Sequence, residues 1–408
     1  MRKHLDHFLQ QHQLDAVIVM GGTTDNPHMR YLAPRGRLSH ALVLKRRGAP
    51  PQAWVSPMER EEAAQSDLTV HTWTEAGWSR WLREAEGNRT RAWALMLAHI
   101  LEREELDQAR VAVVGKVELG SHWSLLHEVQ RRLPRLTLLG QEGHHALLQA
   151  RATKDPDEIR RIRRMGRITV EAVGRLREWL TSRRLVDGLL LDGDRPVTIG
   201  QVKRRLRRWL LDLGATTPHG IIFAQGRDAG IPHSMGREDE PLQAGRTIVF
   251  DIFPQEEDSG YFFDFTRTWA LGHASEEAQQ LYEQVLEAHR RGMAHIRAGV
   301  ACQDPYHRVC DYLEARGHPT LRSHPDTQVG FAHSLGHGLG LDIHEAPTLR
   351  NGVTQPLEPG MVVTVEPGLY YPEQGMGFRV EDTVLVREDG TAEPLAEFPY
   401  DFVLPVKG

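Results

Sequence analysis

Residues Phe250–Thr268 read FDIFPQEEDSGYFFDFTRT, and how this stretch is read decides the fold. It holds five carboxylates, two of which, Asp251 and Asp264, interrupt runs of large apolar residues. The pattern reads as a hairpin: Thr247–Phe253 runs out, Gln255–Ser259 turns, and Gly260–Ala270 returns. On the return strand the two-residue period places Asp264 on one face with Phe262, Thr266 and Thr268. Asp251 is then expected to face Asp264 across the pair. Two like charges in an apolar setting are costly, and one keeps a proton unless something positive lies between them. The plainer alternative is one aspartate capping the turn and the other in a surface ion pair.

Three downstream segments add the same kind of residue. Phe331–Glu345, FAHSLGHGLGLDIHE, sets His333, His337 and His344 among glycines, which let the backbone approach whatever the imidazoles hold. The G-x-G-x-G within it lacks a strong preceding strand and the last-glycine spacing of a dinucleotide fingerprint. In MVVTVEPG, Glu366 ends an apolar strand directly before Pro-Gly; in GFRVEDTVLV, Glu381 precedes an apolar run and shares a face with Arg379 and Thr383. Each residue alone reads as a strand-end acid, an ion pair or a loop histidine. Together, two Asp, one His and two Glu in one domain supply four negative charges that two divalent cations would cancel. Paired metals are a recurring hydrolase arrangement. Oxygen ligands with one imidazole favour manganese, with zinc or cobalt as alternatives.

Around this core the chain divides. Over residues 1–150, apolar runs at Ala16–Met20, Ala41–Leu44, Ala53–Val55, Val111–Val114 and Leu136–Leu139 read as strands. They alternate with helical patterns at Met58–Gln65, Ala92–Arg103 and His122–Arg132, which makes an α/β domain. Residues 151–408 begin with Asp155-Pro156-Asp157-Glu158, a helix start, followed by apolar residues at helical spacing to Trp179. Val186–Asp194 reads as a turn-rich connector. Strands at Ile221–Ala224, Met361–Glu366, Phe378–Val386 and Phe402–Val406 and helices at Glu276–Arg297 and Pro305–Arg316 segregate more than they alternate, so this part is α+β.

Composition narrows the rest. The 408 residues are 40% hydrophobic and 26% charged, with formal net charge −5. That gives no reason to expect nucleic acid or an anionic membrane as the main partner. Arginine clusters such as KRRLRR at Lys203–Arg208 read as solvated helix faces, with a nucleic-acid patch as the competing reading. Two cysteines, Cys302 and Cys310, exclude a disulfide framework. The sequence MRKHLDHFLQQHQ carries no apolar segment of signal-peptide length, and no run of about 18 apolar residues occurs. A cytoplasmic protein without a membrane partner is expected.

In order and in local context, these motifs resemble the pita-bread metallopeptidases, in the branch of Xaa-Pro aminopeptidase (aminopeptidase P) and prolidase. The carrying residues are Asp251; Asp264 with Thr266-Arg267-Thr268; the glycine-flanked His337; Glu366 before Pro-Gly; and Glu381 after Arg379. The resemblance covers essentially the whole chain. It implies a pita-bread α+β catalytic domain over 151–408 behind a smaller creatinase-type α/β domain over 1–150, including Asn26–Leu32. It implies two divalent metal ions on Asp251, Asp264, His337, Glu366 and Glu381, and a hydroxide bridging them that attacks the carbonyl before proline. It assigns His233 to substrate positioning and proton handling, His344 to the scissile carbonyl, His333 to the pocket, Glu366 to proton transfer, and Arg379 with Thr266 to orienting the carboxylates. Tyr261, Phe262 and Tyr370 are the expected walls of an apolar proline pocket. Substrates would be proline-containing peptides, and a homodimer is expected. Asp251-Ile252-Phe253 departs from the family's Asp-x-Gly, and the two aspartates stand further apart than usual. These departures leave the metal set intact and bear on the shape of the pocket and on which peptide end is read. C-terminal trimming on the same site and a non-catalytic scaffold are the alternatives. A methionine aminopeptidase has no need of the first domain, and metal-free creatinase lacks the full ligand set.

Overall fold

Short aliphatic and β-branched runs bounded by turn residues form the strands throughout a computed structural model, whose described residues are 4–140 and 145–407. The chain separates into two compact units, Met1–Arg151 and Ala152–Gly408.

The first unit is built on a six-stranded sheet in the order Thr69–Thr72, Gln52–Val55, Ala41–Arg46, Ala16–Gly21, Arg110–Gly115, Thr137–Gly140. Ala16–Gly21 runs antiparallel to Ala41–Arg46 and parallel to Arg110–Gly115, so the sheet is mixed. Every residue of Ala16–Gly21 is buried, as a central strand covered on both faces requires. The edge strand Thr69–Thr72 (TVHT) is too short and polar to stand out in the sequence. The helix Pro27–Leu32 starts where Asn26 accepts from the Met29 amide, with proline in its first turn.

In the second unit the helix Pro156–Thr181 opens on a capping box between Asp155 and Glu158. A four-stranded sheet runs in the order Ile222–Gln225, Thr247–Ile252, Phe265–Leu271, Val403–Leu404. A five-stranded one follows the order Glu345–Leu349, Gly336–Gly338, Val362–Val365, Asp382–Val386, Ala392–Pro394. An isolated bridge, Thr266–Glu381, joins them. The helices Glu276–Ala294 and Gln303–Glu314 press Val285, Val309 and Leu313 against Val363, Val365 and Val384, all within one buried core. Burying each such aliphatic side chain contributes about 1.5–3 kcal/mol. This is the expected pita-bread α+β architecture.

Three local expectations are corrected. Val186–Asp194 is not a bare connector: Arg184–Val186, Leu189–Asp192 and Arg195–Pro196 form a three-stranded antiparallel sheet. Its turn residues mark the hairpin bends, and Leu190 is its buried member. Phe378–Val386 is two strands, Met376–Arg379 and Asp382–Val386, separated at Val380-Glu381. The strand returning from the hairpin starts at Phe265 rather than Gly260, and Asp251 pairs with Thr266, not Asp264. A wide irregular turn precedes it, so Asp264 stands just outside the ladder.

Candidate metal centre

The centre forms where the two sheets meet at the Thr266–Glu381 bridge. Asp251 lies on Thr247–Ile252, Asp264 immediately precedes Phe265–Leu271, and Glu381 fills the gap between its two strands. Glu366 follows Val362–Val365, and its amide donates to the Leu335 carbonyl. His337 is the middle residue of Gly336–Gly338. A Cβ on Gly336 would sit 2.0 Å from the Thr364 carbonyl oxygen, so glycine is what lets the His337 strand close on its neighbour.

The structure brings together all five residues expected as ligands. Candidate ligand atoms of Asp264, His337 and Glu381 lie within 4.8 Å of one another. His337 Nδ1 faces the Gly338 carbonyl at 3.0 Å, which turns Nε2 towards Glu366 Oε1 at 3.2 Å and Asp264 Oδ2 at 3.7 Å. Asp251 Oδ2 accepts from Arg379 Nη2 at 2.6 Å. Thr266 donates to Glu381 Oε2 at 2.8 Å and accepts a long contact from Arg379 Nε at 3.4 Å. Thr364, which sequence reading passes over, accepts from the His337 amide and donates to Glu366 at 3.2 Å.

Electrostatics show what these acids lack. Burial, with the neighbouring acids adding to it, drives Asp264 and Glu381 well above the usual carboxylate range. Burial also raises Asp251, against the pull of Arg379. For Glu366, burial is outweighed by the hydrogen bond and charge of His337, and its pKa falls to about 2. Among the described residues, Asp251 Oδ1 and Glu381 Oε1 are buried without a hydrogen-bond partner. Unpaired buried carboxylate oxygens are costly, and acids left so, one of them in a group with Asp264 and the His337 imidazole, fit divalent cations. The donor set is oxygen-rich with one nitrogen, which suits hard or borderline metals.

A relay of hydrogen bonds backs the centre. Arg379 Nη1 donates to the Tyr370 hydroxyl at 2.7 Å and to the Pro232 carbonyl at 3.2 Å, next to His233. His333 Nδ1 lies 2.7 Å from the Ser334 carbonyl, so Nε2 is left to accept from Tyr370 at 2.9 Å. Burial lowers His333 to about 4. It does the same to His344, whose ring stands edge-on to His337 at 4.4 Å while its residue remains open to solvent. His233 is exposed. Tyr261 is buried and its hydroxyl donates to Glu158 at 2.7 Å, while Phe262 stacks on the exposed ring of His219 at 5.5 Å. His219 was not singled out in the sequence, because it has no motif around it; its charge nonetheless reaches His344.

The fold and this acid-lined centre define a protein built to hold divalent metal in a pita-bread domain. The chain belongs to metallopeptidase family M24, whose profile matches residues 160–388. It is 35% identical over 190 residues to the peptidase YqhT of Bacillus subtilis, covering 46% of this chain and 50% of that protein. To an Xaa-Pro dipeptidase of Pyrococcus furiosus it is 34% identical over 178 residues, covering 43% and 47%. The chain thus spans about half the length of the curated relatives it matches. Its fold is similar along nearly its full length to the Xaa-Pro dipeptidase from Bacillus anthracis, with TM-score 0.75, 23% identity and 98% of each chain covered. The prolidase from Pyrococcus horikoshii gives TM-score 0.73, 21% identity and 98% of each. Among the described residues, no helix is long and apolar enough to cross a membrane.

Proposed function

We propose that the chain is a two-metal exopeptidase that cleaves the bond before proline, with Asp251, Asp264, His337, Glu366 and Glu381 as the metal ligands. The observation carrying this reading is the pair of buried oxygens on Asp251 and Glu381 that have no hydrogen-bond partner among the described residues, on two acids that burial drives upward. Membership of family M24 and the Xaa-Pro dipeptidases among the relatives support the substrate class. Manganese is the leading metal, with zinc or cobalt as alternatives. Bound divalent ions supply Lewis acidity and lower the pKa of water to near neutrality.

The chain's own residues do the rest. Glu366 accepts the proton of the attacking water and delivers it to the departing prolyl nitrogen. His344, neutral above about pH 4, offers an N–H to the oxygen on which negative charge develops. Arg379 fixes Asp251 and, through the Pro232 carbonyl, the backbone beside His233, which positions the substrate. Tyr370 connects Arg379 to His333, which completes the pocket. An Xaa-Pro bond is a tertiary amide without an N–H, so recognition must come from an apolar surface for the ring. Tyr261, Phe262 and Tyr370, each no more than 3% exposed, are the residues proposed to line it. A homodimer acting on free peptides, away from membranes and nucleic acid, completes the proposal.

The test is turnover after chelation and manganese addition, on an Xaa-Pro dipeptide, an Xaa-Pro-Yaa peptide, and a peptide with proline near its C-terminus. Metal-dependent hydrolysis of the first or second supports the reading. Hydrolysis of the third alone moves it to C-terminal trimming. A protein that binds no metal and cleaves none of them is a scaffold.

A further inference from the structure

Lys154 and Glu345 stand 191 positions apart in sequence yet form an ion pair at 3.1 Å, each side chain only 1% exposed. Lys154 is fixed from behind: its amide donates to the Gly360 carbonyl at 2.8 Å, and Nζ also donates to the Ala152 carbonyl at 3.2 Å. Glu345 spends its other oxygen on backbone, accepting the Asp342 amide at 3.0 Å. Its carboxylate also packs on Gly340, where a Cβ would come within 2.8 Å of it. The Gly340 carbonyl in turn accepts the Phe262 amide at 2.8 Å, two residues before Asp264.

These contacts bracket the residue that lies between Asp342 and Glu345 on the solvent side, His344. Its ring makes no hydrogen bond among the described residues, so its place against His337 depends on the backbone that carries it. A buried ion pair is a poor way to gain stability, since well-packed apolar side chains of similar volume do as well or better. An apolar side chain cannot, however, accept the Asp342 amide. We propose that Glu345, neutralised and anchored by Lys154, is a positioning residue for His344: it clamps the loop so that this imidazole is held at the centre. The kinetic part of this inference rests on the peptidase reading above; the placement of the ring does not.

The experiment uses the full-length, manganese-loaded protein and three variants: Lys154→Met, the apolar pair Lys154→Met with Glu345→Leu, and the pair Lys154→Met with Glu345→Gln, which keeps a carbonyl acceptor for Asp342. Thermal midpoint, metal content, kcat and KM on an Xaa-Pro dipeptide are measured. The His337–His344 ring contact is followed by histidine-labelled NMR on diamagnetic, zinc-loaded samples, with His344→Gln for assignment. Lys154→Met is expected to lower the midpoint by leaving a buried charge unpaired. The apolar pair is expected to restore the midpoint but to lose the ring contact, with kcat down about 10-fold to 100-fold and KM little changed. The Met/Gln pair is expected to recover the contact and most of the rate. An apolar pair that keeps both the contact and wild-type kcat overturns the inference, and so does a folded Met/Gln pair that recovers neither. A wild-type protein inactive on prolyl peptides defeats the peptidase reading instead, and the ring contact then decides the positioning role alone.

Discussion

Two clusters of buried charge lie within a few residues of each other on the same strands, and they are opposites. In one, Arg267 is almost wholly buried and every direction of its guanidinium is used. It donates to the carbonyls of Thr266, Glu381, Pro399 and Phe398, and to Asp382 at 2.9 Å. It also lies against the rings of Phe265 and Tyr400. Asp382 accepts from Tyr400 and has His289 at 3.2 Å; burial would raise it, but Arg267 and these neighbours bring it below the usual carboxylate range. In the other cluster, Asp264 and Glu381 are pushed up and buried oxygens go unpaired. Asp382 and Glu381 are adjacent in sequence, so burial alone does not separate a structural acid from a candidate ligand. What separates them is whether the protein supplies the counter-charge or leaves that to something bound.

The largest expected effect tests the unpaired side of that contrast. Asp264→Ala or Glu381→Ala should lower kcat/KM on prolyl peptides about 10⁴-fold, about 5.5 kcal/mol of barrier. Bound metal measured on the purified variant should fall in parallel, with circular dichroism unchanged. Undiminished turnover in either variant would break the contrast outright. The paired side should respond differently. Asp382→Asn removes the carboxylate paired with a buried guanidinium, which costs about 3–5 kcal/mol of stability in a denaturant titration. If Asp382→Asn is as stable as wild type, the first cluster is not what holds these strands.

A smaller effect sharpens the contrast further out. Tyr370→Phe strips the hydroxyl joining Arg379 to His333 while leaving all five acids and imidazoles of the centre in place. The expected loss is about 10-fold to 100-fold in kcat with metal content preserved, as for groups that orient ligands rather than bind metal. A fall in metal content instead would make Tyr370 part of the holding set.

The candidate ligands stand out in the sequence as a set rather than singly: Asp251 interrupts a strand of buried apolar residues and His337 sits between glycines, but each alone also reads as an ordinary strand-end acid, ion pair or loop histidine. The fold class followed from the same runs. The partners were not legible, because their pairing is long-range. Nothing local in Thr266-Arg267-Thr268 says that Arg267 meets an aspartate 115 positions away, or that Lys154 meets Glu345. The split of Phe378–Val386 was hidden for a related reason. Val380 and Glu381 read as strand, but the backbone leaves one ladder there and bridges to Thr266 instead. Asp251 pairs with Thr266 rather than Asp264 because register depends on the turn, and Gln255–Glu256 leaves the hairpin to pair with Ala215–Thr216.

The smallest effect is a slope, and its sign distinguishes the clusters in metal-free protein. Asp264 holds its proton more tightly folded than unfolded, so the folded state binds more protons as pH rises out of the ordinary carboxylate range. Its contribution to stability is therefore present at low pH and is lost as pH climbs through the folded value, by about 1.4 kcal/mol per pH unit while the difference lasts. Asp382, shifted down, contributes above the ordinary range and loses that contribution as pH falls. Asp264→Asn should accordingly gain on wild type in unfolding free energy as pH is raised from about 4 towards 8. Saturating manganese should cancel that gain, since wild type then holds a counter-charge that the variant cannot. A gap that stays flat with pH in the metal-free protein would mean that Asp264 is solvated or paired in the folded state, and the contrast with Asp382 would go with it.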